Sequence, residues 1–347
     1  MTKKGEIDTG SLDLIVTHYK EPWSLGKPFF DMLALQRDIR FEDVSVILVN
    51  DGEENELPAE CFGGYPYEIH QISIPHGGVS KARNAGLDYS DADYVMFCDF
   101  DDCFSSVFGL HLIFCGMAED KWDLMRATFA EETMDDEGQI HLVSHDEDTV
   151  FVHGKIMRRK FLVDNNIRFH EKLSIHEDGF FNVLTYALAD DRKTKINTSI
   201  YIWCWNGNSI VRKEHTWDYV LYTYDHLMKQ RIALTDEFIK RQRAEDTMLT
   251  VIKTVCDSYY DFQQHEWRLP KNKSKVERAE RWFCAYLKRF AKFYATANVK
   301  QISEIAILSR ARVLKNQTML MESETLKQWL EHIMNDVRPI PLDEQGV

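Results

Sequence analysis

Four strand-length runs recur through the first hundred residues: LDLIVT (12–17), VSVILVN (44–50), EIHQISI (68–74) and YVMFCD (94–99). Helical stretches lie between them. One runs from Ser24 to Asp38, with Ser24 in the N-cap position, and another is GGVSKARNAGLDYS (77–90), a Gly-rich turn opening a helix. Strands separated by helices pair in parallel through crossovers, and near-continuous apolar strands need cover on both faces. The pattern therefore predicts an α/β fold, a mostly parallel, doubly wound sheet flanked by helices. In open sheets of this kind, ligands bind outside the carboxyl ends of the strands. The conspicuous polar groups fall there: Thr17-His18-Tyr19 after the first run, Asn50-Asp51-Gly52 after the second, Asp99-Phe100-Asp101-Asp102 after the fourth.

Farther along, RRKFLVDNN (158–166) and DGFFNVLTYALA (178–189) read as helices and TSIYIWCW (198–205) as a strand. From about His215 strand signals stop, and helical patterns run to about Asp336, broken near Pro270. The expected division is 1–214 for the α/β domain and 215–347 for an all-α region serving acceptor binding or oligomerisation. Charge changes at the same place. Residues 1–210 hold 19 basic and 37 acidic side chains, a net of −18, whereas 211–347 hold 23 and 19, a net of +4. The N-terminal MTKKGEIDTGSLD has no apolar core of a signal peptide, and no run reaches the ~18 apolar residues of a spanning helix. Seven cysteines, an odd number without CxxC spacing, suit reduced thiols and no structural zinc. A soluble cytoplasmic protein, peripheral to the inner face of a membrane at most, is expected.

Three carboxylates in the four residues Asp99–Asp102 repel one another and raise one another's pKa. A hard divalent cation such as Mn²⁺ or Mg²⁺ relieves that repulsion and keeps open positions for phosphate oxygens. Taken alone, the same residues also read as a solvated acidic turn. Asp51-Gly52 alone reads as an ordinary turn, and Arg83 alone as a helix-surface residue pairing with Asp88 or Glu68. No GxGxxG, GxxxxGK or GxSxG element is present, which disfavours nicotinamide enzymes, P-loop NTPases and α/β hydrolases.

Taken in order and spacing, VTHYKEPWSLGKPFFDML, VILVNDG, GGVSKARNAGLDYSDADYVMFCDFDD and HEDGFFN resemble glycosyltransferase family 2, inverting enzymes of the GT-A fold. The resemblance covers roughly residues 11–212, and His18 and Asn50 depart from its usual residues. It implies that Thr17, His18, Tyr19 and Glu21 line the nucleotide base, and that Asp51 accepts a hydrogen bond from uracil. It further implies that Arg83 holds the base or ribose. Asp99 would contact ribose or metal, Asp101 would bind the metal that bridges the donor diphosphate, and Asp102 would orient the loop. Within IHEDGFF (175–181), the resemblance makes Asp178 the catalytic base and gives Glu177 the sugar pocket; an acidic helix N-terminus is the plain alternative. Arg126 would reach the donor sugar, and Lys155 would face the active site. In WNGNSIVRKEH (205–215), Arg212, Lys213 or His215 would clamp phosphate, with His215 completing the metal shell. His176 reads as a packing or supporting residue.

The function expected is a metal-dependent inverting transfer of a sugar from a UDP-sugar to a hydroxyl acceptor. A catalytically silent GT-A binding module and a nucleotidyltransferase are the alternatives. In the C-terminal region, aromatics mix with Lys and Arg at helical spacing, as in PKNKSKVERAERWFCAYLKRFAKFY. They read as the core of a bundle or as a platform for an anionic polymer or a membrane surface. A cell-wall polymer, another glycan or a modified DNA base would serve as acceptor. Nucleic acid is the minority choice at a net charge of only +4, and a homo-oligomer through these helices is a further expectation.

Overall fold

The computed structural model describes residues 10–207, 217–315, 319–321 and 324–342. The chain divides into two compact units, Met1–Gly207 and Asn208–Val347.

The first unit is a nine-stranded mixed sheet with helices. Its strands are β1 (Leu12–His18), β2 (Val44–Asp51), β3 (Glu68–Ile74), β4 (Tyr94–Asp99), β5 (Cys103–Phe104), β6 (Leu124–Met134), β7 (Ile140–His145), β8 (Lys155–Arg158) and β9 (Lys193–Trp203). The helices are α1 (Trp23–Ala34), α2 (Val79–Tyr89), α3 (Gly109–Met117), α4 (Arg159–Asp164) and α5 (Glu177–Leu188). Strand order is β3-β2-β1-β4-β8-β6-β9-β5, with β7 paired to β6.

The four strands expected from the apolar runs form the parallel half. β1 sits between β2 and β4 with Val16 opposite Leu48 and Cys98, and Thr17 opposite Val49 and Asp99. That register brings the three polar strand ends to one edge. The other half departs from a parallel sheet, because β8 is antiparallel to both β4 and β6, β7 to β6, and β5 to β9. Only β6 and β9 run parallel there, through a bulged register. Arg158, expected to open a helix, ends β8 instead, and α4 begins at Arg159. Helix α1 starts at Trp23, so Pro22 and not Ser24 holds the N-cap position, with no side-chain cap.

One face of the sheet packs Leu14, Val16, Val46, Leu48, Met96 and Cys98 against Phe29, Phe30 and Leu33 of α1. Across the opposite face α2 lies close. A Cβ on Gly86 would stand 2.3 Å from Ile15 Cγ2, so only glycine permits this approach. Gly78, before α2, has φ +89°, a conformation glycine adopts without strain.

The second unit is helical: α6 (Trp217–Tyr222), α7 (Tyr224–Lys240), α8 (Ala244–Phe262), α9 (Lys273–Ala295), α10 (Val299–Lys315) and α11 (Leu326–Asp336). Short 3₁₀ turns at His265–Arg268 and Pro270–Asn272 make the break expected near Pro270. Thr325 and Gln328 form a reciprocal capping box at the start of α11. Trp282, Phe283, Tyr286 and Phe290 of α9 are buried with Trp329 and Trp267. Packing therefore accounts for these aromatics. No helix among the described residues is long and apolar enough to cross a membrane.

Candidate active site

The site assembles at the carboxyl ends of β1, β2 and β4, where α2 and α5 begin nearby. Arg83 is its centre. It projects from α2 and is 3 % exposed. Its Nη2 donates to Asp99 Oδ1 at 3.0 Å, and its Nη1 donates to Asp178 Oδ1 at 2.5 Å and Glu177 Oε1 at 3.1 Å. The guanidinium also lies over the Phe169 ring, 5.1 Å from its centroid. Asp88 pairs with Arg168 instead. The fork geometry of Arg thus joins the end of β4 to the first turn of α5.

The electrostatics follow from this arrangement. Burial disfavours the charged form of Arg83, but Asp178, Asp99 and Glu177 outweigh it and hold the pKa above the usual value. Burial works against ionised Asp99, and Arg83 with His153 overcomes it, so its carboxyl is held below its ordinary value. Glu177 behaves oppositely: burial and then the neighbouring charge of Asp178 push it up to about 8, against the pull of Arg83. Glu177 also hydrogen-bonds to Asp178. Asp178 Oδ2 further accepts the Val152 N–H at 3.4 Å.

The acidic loop divides into an inner and an outer part. Asp102 is 1 % exposed. Its Oδ2 accepts from the Tyr201 hydroxyl at 2.8 Å and its Oδ1 from the Cys204 N–H at 2.9 Å. Burial, Asp99 and Asp101 push its pKa well above the usual range. The Tyr201 hydroxyl accepts the Asp99 N–H at 3.0 Å, so one phenol ties both acids to β9. His153 lies against them, with Nδ1 3.6 Å from Asp102 Oδ2 and its ring stacked on Tyr201 and Trp203. Burial lowers its pKa. Asp101 is half-buried, and its Oδ2 accepts from the Asn206 amide at 2.7 Å.

This donor set fits a divalent metal ion. Asp99, Asp102 and His153 present atoms that all lie within 4.8 Å of one another, and the buried His153 Nδ1 has no hydrogen-bond partner among the described residues. Carboxylate oxygens suit hard divalent ions, and an imidazole suits transition metals. The structure thus gathers Asp99 with Asp102 and His153, and holds Asp101 beside Asn206.

The expected base-binding residues share one edge. His18 is buried, with Nδ1 against Asn50 Oδ1 and Nε2 against the Glu21 carbonyl, each at 2.8 Å. The hydrogen bond joins the two positions that depart from the family's usual residues. Tyr19 is exposed and stacks on His76, with centroids 4.6 Å apart. The Tyr19 N–H donates to Glu21 at 2.6 Å, and burial raises the Glu21 pKa despite that bond. Asp51 accepts the N–H groups of Gly77 at 2.7 Å and Gly78 at 2.9 Å, and pairs with His76. It therefore clamps the turn that opens α2. Carboxylate lone pairs remain to accept a ligand N–H as well.

Arg126, on β6, donates to the Asp148 carbonyl at 3.2 Å and lies over Tyr186. Lys155, opposite it on β8, is buried and bonded to Asp148 and to the Phe151 carbonyl. His176 precedes α5 in a left-handed conformation. Arg212, Lys213 and His215 lie outside the described residues. The residues that sequence reasoning missed are His153, Tyr201 and Asn206. Asn206 falls in the WNGNSIVRKEH stretch and Tyr201 in the TSIYIWCW strand, but neither spacing gives them a role; the pairing of β5 with β9 sets Tyr201 opposite Phe104, beside the acidic loop.

Residues 13–107 match the profile of the family described as Glycosyl transferase family 2. The chain is 27 % identical over 190 residues to "Uncharacterized glycosyltransferase EpsJ" of Bacillus subtilis, a match covering 48 % of this chain and 54 % of the relative. Over 74 residues it is 38 % identical to "Minor teichoic acid biosynthesis protein GgaB" of the same organism, covering 20 % of this chain and 8 % of that one. The chain thus spans about half of EpsJ and a small part of GgaB. Among solved structures, S. aureus TarS superposes with a TM-score of 0.58 at 17 % identity, over 88 % of this chain and 54 % of TarS. TarS 1–349 in complex with UDP-GlcNAc gives 0.56 at 15 % identity, over 91 % and 98 %. The fold is of the GT-A type.

Proposed function

We infer, from a chain that carries a glycosyl transferase family 2 domain over residues 13–107, that this protein transfers a sugar from a UDP-sugar to a hydroxyl acceptor with inversion. The observation that carries the reading is the fork of Arg83, which brings the acidic loop and the carboxyl pair of α5 into one site. A single displacement needs both. One group neutralises the leaving diphosphate, and a base stands within reach of the incoming hydroxyl. The crystallised complexes of TarS with UDP and with UDP-GlcNAc favour a UDP-sugar as donor.

Asp99 and Asp101, both half-buried, would hold a Mn²⁺ or Mg²⁺ ion, and the buried Asp102 and His153 would close its inner side. When bound, that ion supplies Lewis-acid stabilisation of the departing diphosphate. Thr17, His18, Tyr19, Glu21 and Asp51 form the base-binding edge, with the exposed Tyr19 ring as the stacking face. Glu177, pushed up to about 8 by burial and then by the charge of Asp178, holds its proton at neutral pH, and the role of base is assigned to Asp178. The acceptor oxygen bonds to the anomeric carbon, the bond from that carbon to the diphosphate oxygen breaks, and the hydroxyl proton passes to Asp178. Arg126 serves the donor sugar. Glycans and anionic polymers are the acceptor class to test first, with the helical unit as their platform.

The deciding experiment measures nucleoside diphosphate release from a panel of sugar nucleotides, with and without Mn²⁺, for wild type, Asp101→Ala and Asp178→Asn. Metal-dependent release of UDP from one donor, lost in Asp101→Ala, is expected. Asp178→Asn should bind UDP and fail to transfer. Release of pyrophosphate would instead identify a nucleotidyltransferase. Normal transfer by Asp178→Asn would overturn the assignment of the base.

A further inference from the structure

Cys103 opens β5 directly after the acidic loop, and Cys204 follows the last residue of β9. Their Sγ atoms are 3.5 Å apart, in van der Waals contact, and both residues are half-buried free thiols. The pairing of β5 with β9 creates the contact. Cys103 lies opposite Ile202, which brings Cys204, two residues on, to its side. A disulfide has its sulfurs ~2.05 Å apart, so closure requires an approach of roughly 1.5 Å, within reach of side-chain rotation and a small strand shift.

Two hydrogen bonds join the segment holding Cys204 to the acidic loop. The Cys204 N–H binds Asp102, and the Asn206 amide binds Asp101. We propose that Cys103 and Cys204 are a site of reversible disulfide exchange, which in its oxidised state locks the acidic loop to the end of β9. The co-reactant is a low-molecular-weight disulfide. The thiolate of one cysteine attacks it, forms a mixed disulfide and expels one thiol. The thiolate of the second then attacks the protein sulfur, closes the Cys103–Cys204 bond and expels the other thiol. Two protein thiols lose two electrons and two protons, and the small disulfide becomes two thiols. Drawing the strands together shifts the two hydrogen bonds that set Asp101 and Asp102. Closure therefore weakens nucleotide binding, a consequence that rests on the transferase reading above.

The test incubates the full chain with oxidised glutathione and follows it by intact mass and peptide mapping. Peptide mapping should show a Cys103–Cys204 cross-linked peptide two hydrogens lighter than its reduced halves and reversed by dithiothreitol, with the intact mass otherwise changed only by glutathionyl groups on accessible thiols such as Cys115. Cys204→Ser should instead retain one glutathionyl group on Cys103. Amide exchange across residues 101–106 and 202–206 should slow in the oxidised protein. UDP affinity in Mn²⁺, measured by calorimetry, should fall about tenfold. The exposed Cys115 serves as the internal control for oxidant action. Glutathionylation of Cys115 with no Cys103–Cys204 link would overturn the proposal. A link that leaves amide exchange unchanged would overturn the locking. Unchanged UDP affinity would remove the regulatory consequence. Absence of UDP binding in both redox states would count against the transferase reading, and the mass result would still decide the disulfide.

Discussion

Arg83 of α2 donates from Nη2 to Asp99 Oδ1 at the end of β4, 3.0 Å away, with the guanidinium almost fully out of solvent. The other arm of the same group meets Glu177 and Asp178. One cation therefore bonds to three carboxyl groups from two separate elements. Removing it leaves those acids buried and facing one another. Arg83→Ala should cost about 3–5 kcal/mol of stability in urea unfolding. Arg83→Lys should restore only part of it, because an ammonium cannot fork between β4 and α5. A loss under 1 kcal/mol for Arg83→Ala would refute this central role.

Glu177 makes stability depend on pH. Its folded-state pKa, about 8, lies above its ordinary value of 4.5, so the folded protein binds this proton more tightly than the unfolded chain. The stabilisation is complete below the ordinary value and is lost as pH rises through about 8. Melting temperature, measured with a chelator present, should fall across that window in the wild type. Glu177→Gln should flatten the fall and melt on the order of a few degrees higher at pH 9. Parallel curves for the two proteins would show that Glu177 is not the group behind the fall.

Tyr201 gives one hydroxyl to two acids of the loop, accepting from the Asp99 N–H and donating to Asp102. Tyr201→Phe leaves a buried amide and a buried carboxyl short of a partner. A cost of about 2–4 kcal/mol is expected from the two desolvated groups, with weaker UDP binding in Mn²⁺. Wild-type stability in the variant would mean that water replaces the phenol.

The metal ligands can be separated by thermal shift. Mn²⁺ should raise the melting temperature of the wild type, and Asp101→Ala should abolish the shift. His153→Ala should retain most of it, because His153 is buried on the inner side of the loop. The reverse order would assign the ion to Asp99, Asp102 and His153.

Gly86 lets α2 lie against β1. Gly86→Ala puts a Cβ 2.3 Å from the Ile15 methyl group, and the helix must move. The expected cost is about 1–3 kcal/mol, seen as a lower urea midpoint at unchanged slope.

The parallel half of the sheet was legible in the chain. β1, β2 and β4 are buried on both faces, so VSVILVN and YVMFCD carry a near-continuous apolar signal, and their polar ends gather at one edge. The antiparallel half was not. In β7, five of six residues are exposed, and β8 is four residues long, so neither builds a periodic pattern. Arg83, Asp99, Glu177 and Asp178 were each visible as residues of a motif. Their mutual contact was not, because it spans up to 95 positions.

By itself, the sequence determined the alternation of strands and helices, the concentration of acid at one strand end and the helical character of the second half. These depend on local patterning and on burial of each element's faces. Tertiary structure alone decided that Arg83 would bind three acids, that Tyr201 and His153 would back the acidic loop, and that Cys103 would touch Cys204. The physical reason is that each contact is made across strands and helices remote in the chain. Their register is set by packing the whole sheet, and no local spacing encodes it.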